Sequence, residues 1–220
     1  MFYIPADKIA VSQGLLFRRR KAARRSEILA AAMAEFVANG YIGARLDDVA
    51  ARASLKRATI YRYFTDKEDL FRAVVDEAMA PHVEALQSLS ASSALPFAAQ
   101  LRCGVGPVAK IVTQTQLGAV LKIIVGEGRA FPELAKAWHD QLIAPLVQLV
   151  SGLIAQAQAE GEVGPGHPGV FAFQLISPMV SALILRETFV PVGAPDFDVE
   201  AVLGQCVETF LAGVAQGPDA

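Results

Sequence analysis

The sequence predicts an all-α protein, and three observations carry that prediction. Apolar residues recur at spacings of three and four through most of the 220 residues, with no stretch of β-type alternation. Hydrophobic residues make up 53% and charged residues only 19%, a balance that disorder does not have. Only two cysteines occur, Cys103 and Cys206, far apart and each flanked by apolar residues. That excludes a disulfide scaffold and a cysteine-rich zinc module, and each cysteine reads as a small buried hydrophobe in a reducing compartment.

The first helix is expected over residues 26–39, where Leu29, Ala32, Met33, Phe36 and Val37 form one stripe and Asn39-Gly40 supplies the left-handed residue that ends a helix. Short helices follow at 46–53 and 56–64, separated by Ser54-Leu55. Asp66, with Asp69 three positions on, then caps a long helix to about residue 89, which Pro81 should kink. Further helices are expected at about 95–104, 107–126, 132–161, 169–190 and 198–215, with Gly/Pro clusters at 104–107, 161–169 and 191–195 as their breaks. In the last of them, Val199, Val202, Leu203, Cys206, Val207, Phe210, Leu211 and Val214 make a narrow seam suited to a partner helix.

A net charge of −2 conceals a division. Residues 1–75 hold fourteen Lys and Arg against eight Asp and Glu, a charge of +6, while residues 76–220 hold six against fourteen, a charge of −8. The basic head suits a polyanion and the acidic body another task. Positive charges follow rather than precede the apolar stretch at the N-terminus, so a signal peptide is not expected. The uncharged runs at 141–159 and 163–185 carry glutamines, serines and prolines, and read as core helices rather than membrane spans.

Two short helices joined by a tight break are the ingredients of a helix-turn-helix. At 100° per residue, Ile60 and Phe64 lie together and point to the core. Arg62 and Ala58 then point outward, flanked by Thr59 and Tyr61. In a major groove an arginine pairs with guanine, and alanine or threonine methyls meet the thymine methyl. Tyr61 and Tyr63 can donate to phosphates, and Arg45, Lys56, Arg57 and Lys67 add charge near the helix starts. Arg18–Arg25 holds six basic residues that can track the backbone or reach a neighbouring minor groove.

These residues resemble the tetracycline-repressor (TetR) family of bacterial transcription regulators. The likeness runs from about Ile28 to Phe71 through Phe36-x-x-x-Gly40-Tyr41, Asp48-Val49-Ala50-x-x-Ala53 and Thr59-Ile60-Tyr61-x-Tyr63-Phe64-x-x-Lys67-x-x-Leu70-Phe71. The resemblance implies that 56–64 is the recognition helix, that Tyr61, Tyr63 and Lys67 grip phosphates, and that the protein is an all-helical homodimer whose C-terminal domain binds a small ligand and releases DNA. Ala44-Arg45 stands where the family has a hydroxyl cap, and Ser54-Leu55-Lys56 where it has Gly-Val-Ser. A serine in a left-handed turn should cost about 1 kcal/mol relative to glycine. Glu127-x-Arg129-x-Phe131-Pro132-Glu133-Leu134-Ala135 resembles the C-terminal domain of multidrug-efflux-type members.

The expected organisation is a flexible basic arm at 1–23, a three-helix DNA-binding domain at 24–70 and a ligand-binding and dimerisation domain at 71–220. His82, His139 and His167 are isolated, and the Gly-x-Gly pairs follow no strand, so no metal, cofactor or catalysis is expected. Glu160 and Glu162, at a helix end, read as solvated. His82, Trp138, Phe171 and Gln174 each place a polar edge or an aromatic face in an apolar stripe and are the pocket candidates. The expected function is a cytoplasmic, ligand-responsive transcriptional regulator. It would be a repressor released from a palindromic operator on double-stranded DNA by a small apolar or aromatic molecule. The alternatives are a DNA-binding regulator controlled by a protein partner, and an activator or global DNA binder.

Overall fold

The computed structural model describes residues 6–78 and 95–214, with side chains placed from Lys21 onward. Every regular element among them is helical. The chain divides into two compact units, Met1–Val74 and Val75–Ala220. His82, Pro81 and the end of the long helix lie outside the described residues.

In the first unit, α1 (Ala6–Gly43) is followed by α2 (Leu46–Arg52), α3 (Arg57–Ile60) and the opening turns of α4 (67–78). The basic run expected as an arm is helical here, forming the early turns of α1. Gly40 breaks that helix with φ 69° and ψ 179°, a region essentially restricted to glycine, and one more turn follows it. Ile28, Ala32, Phe36, Val49, Ile60, Leu70 and Phe71 are buried at the centre. The rings of Phe36, Tyr41 and Phe71 meet at centroid distances of 5.1–5.9 Å. Glu35 is buried among them, accepting from Asn39 Nδ2 at 2.6 Å and from Arg52 at 3.1 Å, which ties α1 to α2. Asp66 caps α4 as expected: its Oδ1 accepts from the Asp69 amide at 2.8 Å, and Asp69 returns a carboxylate oxygen to the Thr65 amide at 2.9 Å.

The second unit is built from α5 (Phe97–Gln114), α6 (Leu117–Glu127), α7 (Pro132–Trp138), α8 (Ala144–Ala159), α9 (Pro168–Phe189) and α10 (Val199–Val214). Helix α9 packs against α5, α6, α8 and α10, and α10 also packs on α5. The break expected at 104–107 is absent, since α5 runs through Gly104 and Pro107. An interior proline removes one backbone bond, and tertiary packing compensates for that here. The chain turns instead at Thr115, which is extended (φ −121°, ψ 168°). Its hydroxyl donates to the Ile111 carbonyl at 2.6 Å and accepts from the Leu117 amide at 3.3 Å, closing α5 and opening α6 with a bend of 66°. Between α7 and α8 a π-helical turn, His139–Ile143, leads into α8, which carries Pro145 in its first turn.

Several polar residues act as helix caps. His167 Nδ1 accepts from the Gly169 amide at 3.1 Å at the start of α9. Glu162, exposed as expected, also accepts from the Phe97 amide at 2.6 Å and so caps α5. The α10 seam also differs from expectation. Val199, Leu203, Phe210 and Val214 are buried within this chain, Phe210 edge-to-face with Phe171 at 5.7 Å, because α5 and α9 cover that face.

Candidate nucleic-acid interface

The turn between α2 and α3 depends on Ser54, which has φ 55° and is the one non-glycine residue with positive φ among those described. Side-chain caps are missing at both helix starts, Arg45 for α2 and Lys56 for α3. Helix α3 is a single turn. Beyond it the chain continues in tighter bonds, Arg62 N to Thr59 O at 3.2 Å and Tyr63 N to Ile60 O at 2.9 Å, so the expected helix at 56–64 is part helix and part turn.

This geometry separates the faces as the periodicity predicts. Ile60 and Phe64 are buried, while Ala58, Tyr61 and Arg62 are exposed and Thr59 and Tyr63 half-buried. Arg45 and Lys56 are also exposed. The side chains of Arg45, Lys56 and Arg62 make no hydrogen bond or ion pair among the described residues, so their charges are available to a ligand.

Arg57 and Lys67 are different. The Arg57 guanidinium bonds Asp47 of α2 at 2.8 Å and the Tyr61 hydroxyl at 3.0 Å, and lies 5.5 Å from the Tyr61 ring centroid. The Tyr61 hydrogen bond, followed by the Asp47 charge, raises its pKa above the ordinary arginine value. Arg57 therefore joins the two helices of the motif and orients Tyr61. Lys67 Nζ donates to the carbonyl oxygens of Tyr41 at 2.7 Å, Ala44 at 3.1 Å and Ile42 at 3.3 Å, and sits 4.6 Å from the centre of the Tyr41 ring. These contacts gather the ammonium against the carbonyls that follow Gly40. In this structure Lys67, the expected phosphate grip, clamps the carbonyls at the end of α1.

The second unit holds a separate cavity of about 200 Å³ between α5, α8, α9 and α10. Leu101, Val150, Leu153, Met179 and Leu203 are among its apolar walls, and Gln100, Cys103 and Cys206 also line it. Cys103 is exposed and Cys206 half-buried, so neither is the fully buried hydrophobe expected. Trp138, Phe171 and Gln174, named above as pocket candidates, do not line this cavity. Trp138 is buried in packing, Phe171 belongs to the Phe210 cluster, Gln174 faces outward and His82 lies outside the described residues.

A basic helix-turn-helix head with an outward recognition face defines a DNA-binding regulator. Residues 28–74 match the family described as bacterial regulatory proteins, tetR family, and residues 99–213 match the AefR-like transcriptional repressor C-terminal domain. The chain belongs to the TetR family and carries an AefR-like C-terminal domain. It is 40% identical over 57 residues to the HTH-type transcriptional repressor SCO4008 of Streptomyces coelicolor, a stretch covering 26% of this chain and 30% of that relative. Its fold is shared with a TetR-family regulator of Mesorhizobium loti (TM-score 0.75, 22% identity, 90% of this chain and 99% of that one). It is shared also with SmeT, the repressor of the Stenotrophomonas maltophilia multidrug efflux pump SmeDEF (TM-score 0.69, 18% identity, 88% and 91%).

Proposed function

We propose that the protein is a cytoplasmic, ligand-responsive repressor that binds double-stranded operator DNA as a homodimer. The observation that carries the reading is the exposed row Ala58, Tyr61 and Arg62, backed by buried Ile60 and Phe64 and flanked by the exposed cations Arg45 and Lys56. Arg62 reads a base edge, Ala58 and Thr59 offer methyl contacts, Tyr61 and Tyr63 donate to phosphates, and Arg45 and Lys56 supply sequence-independent attraction. Arg57 and Lys67 hold this face in shape from behind.

Exposed apolar residues on α9 support the homodimer. Val170, Phe173, Leu185 and Phe189 recur along one stripe with Ser177 and Ser181 between them, and Val202 of α10 is also exposed. A second copy related by a two-fold axis buries such a stripe against its own equivalent. The segments Pro132–Ala159 and Pro168–Val192 are long and apolar enough to cross a membrane by length and composition. Their packing with neighbouring helices and the Gln174, Ser177 and Ser181 row favour a dimer contact over lipid. The likeness to SmeT supports repression, and the apolar cavity supports a small apolar effector.

The test is fluorescence anisotropy of wild type and Arg62→Ala on a selected operator and on random duplex. The reading predicts that Arg62→Ala loses affinity on the operator and keeps most of it on random DNA. Equal losses on both would remove Arg62 from base recognition.

A further inference from the structure

Residues 18–25 hold six basic side chains, Arg18, Arg19, Arg20, Lys21, Arg24 and Arg25, and no acidic one. The helix-turn-helix face described above uses none of them. The run is helical and continuous with the rest of α1. At a rise of about 1.5 Å per residue, the six positions fall within about 12 Å, one charge for about every 2 Å of helix. Duplex DNA carries one negative charge for about every 1.7 Å of its axis, so the two densities match. Positions 20 and 24, and positions 21 and 25, are one helical turn apart, and like charges at that spacing weaken a helix. Glu27 offsets part of this by pairing with Arg24 at 2.9 Å. A polyanion lying along the run turns the repulsion into attraction.

The run also begins beside the reading element. Arg25 Cζ lies 5.6 Å from the centroid of the Phe64 ring, at the end of the segment that carries Ala58, Tyr61 and Arg62. Lys21, which is exposed, stands one turn nearer the N-terminus. From position 25 to position 18 is about 10 Å along the axis, the length of about three base pairs. Width then decides which part of a duplex the run can meet. A helix with its side chains is about 10–12 Å across and the minor groove only about 6 Å wide. An intact helix therefore stays outside that groove and meets the phosphates that border it.

We propose that the N-terminal turns of α1 form a second DNA-contact surface, which binds the phosphate backbone flanking each half-site over about three base pairs, whatever their sequence. The proposal rests on the DNA-binding reading above and adds affinity from duplex outside the operator.

The experiment measures fluorescence anisotropy of the full chain on two duplexes. One is the selected operator trimmed to the outer edges of its half-sites; the other is extended by about six base pairs on each side, enough to pass the run. Wild type should bind the extended duplex roughly tenfold more tightly, with a steeper salt slope, and equally well with A·T-rich or G·C-rich flanks. With Arg18→Gln, Arg19→Gln, Arg20→Gln and Lys21→Gln together, which keep good helix formers in place, the two duplexes should bind alike. With Arg18→Lys, Arg19→Lys and Arg20→Lys together the wild-type gain should remain, because a phosphate track needs charge rather than the guanidinium shape. No gain with length in wild type overturns the proposal, as does a full gain in the glutamine variant. A gain confined to A·T-rich flanks overturns it too, because that is minor-groove readout. If the length gain behaves as expected but wild type prefers the operator no more than random duplex, the flanking contact stands and the operator reading falls instead.

Discussion

The ammonium of Lys67 lies 2.7 Å from the carbonyl oxygen of Tyr41, at the point where Gly40 has turned the end of α1 out of its helical path. Carbonyls left open by a helix end attract cations, and here one side chain from α4 serves three of them. Helix α4 is thereby fixed to the end of α1, and the Phe36–Tyr41–Phe71 aromatic contacts lie in the same place.

Lys67→Ala should therefore act on stability first. Loss of charge-assisted bonds of this kind costs about 2 kcal/mol, read as a lower urea midpoint. The slope of log affinity against log salt should stay that of wild type, because no phosphate contact is lost. A slope flatter by one unit would restore Lys67 to the DNA contacts.

Lys56→Ala should do the opposite. Its charge is exposed and unpaired among the described residues, so stability should be unchanged within about 0.5 kcal/mol. Binding should weaken on every sequence, with the salt slope reduced by about one. A stability loss as large as that of Lys67→Ala would contradict the assignment.

Ser54→Gly should stabilise the protein by about 1 kcal/mol, since Ser54 holds φ 55° and glycine takes that conformation without a Cβ clash. Thermal unfolding reads this directly. An unchanged or lowered midpoint would mean that the serine side chain compensates for its backbone.

Phe173→Glu and Leu185→Glu, on the exposed α9 stripe, should convert the dimer to a folded monomer that no longer binds the operator. Phe210→Glu should instead unfold the second unit, because Phe210 is buried beside Phe171 in the same chain. Sedimentation velocity with circular dichroism distinguishes the two outcomes. A folded monomer from Phe210→Glu would reverse the assignment of faces.

The head was largely legible in the sequence because its signals are local. Asp66 and Asp69 announce a helix start, Ile60 and Phe64 share a face at four-residue spacing, and Ser54 sits where the turn needs a left-handed residue. The partners of individual charges were not legible. Nothing local says that Lys67 reaches back 26 residues to Tyr41, or that Glu35 is buried against Arg52. In the body, Pro107 was a stronger break signal than Thr115, yet packing carried the helix through the proline and a threonine hydroxyl ended it. Among the described residues the cavity walls come from four helices and from Leu95 just before α5, and most are ordinary aliphatic side chains. Trp138, Phe171 and Gln174 drew attention as aromatic or polar exceptions within apolar stripes, whereas the wall is marked by where its leucines and valines meet.

The most direct test of the central claim is selection of binding sites from a random duplex pool by the wild-type protein, repeated with Arg62→Ala. A two-fold regulator reading bases through α3 predicts a near-palindromic site with half-sites about 34–36 Å apart or somewhat more. It also predicts that the variant relaxes at the same position in both half-sites. Enrichment of no sequence, or of a site with no two-fold relation that Arg62→Ala leaves unchanged, would contradict it.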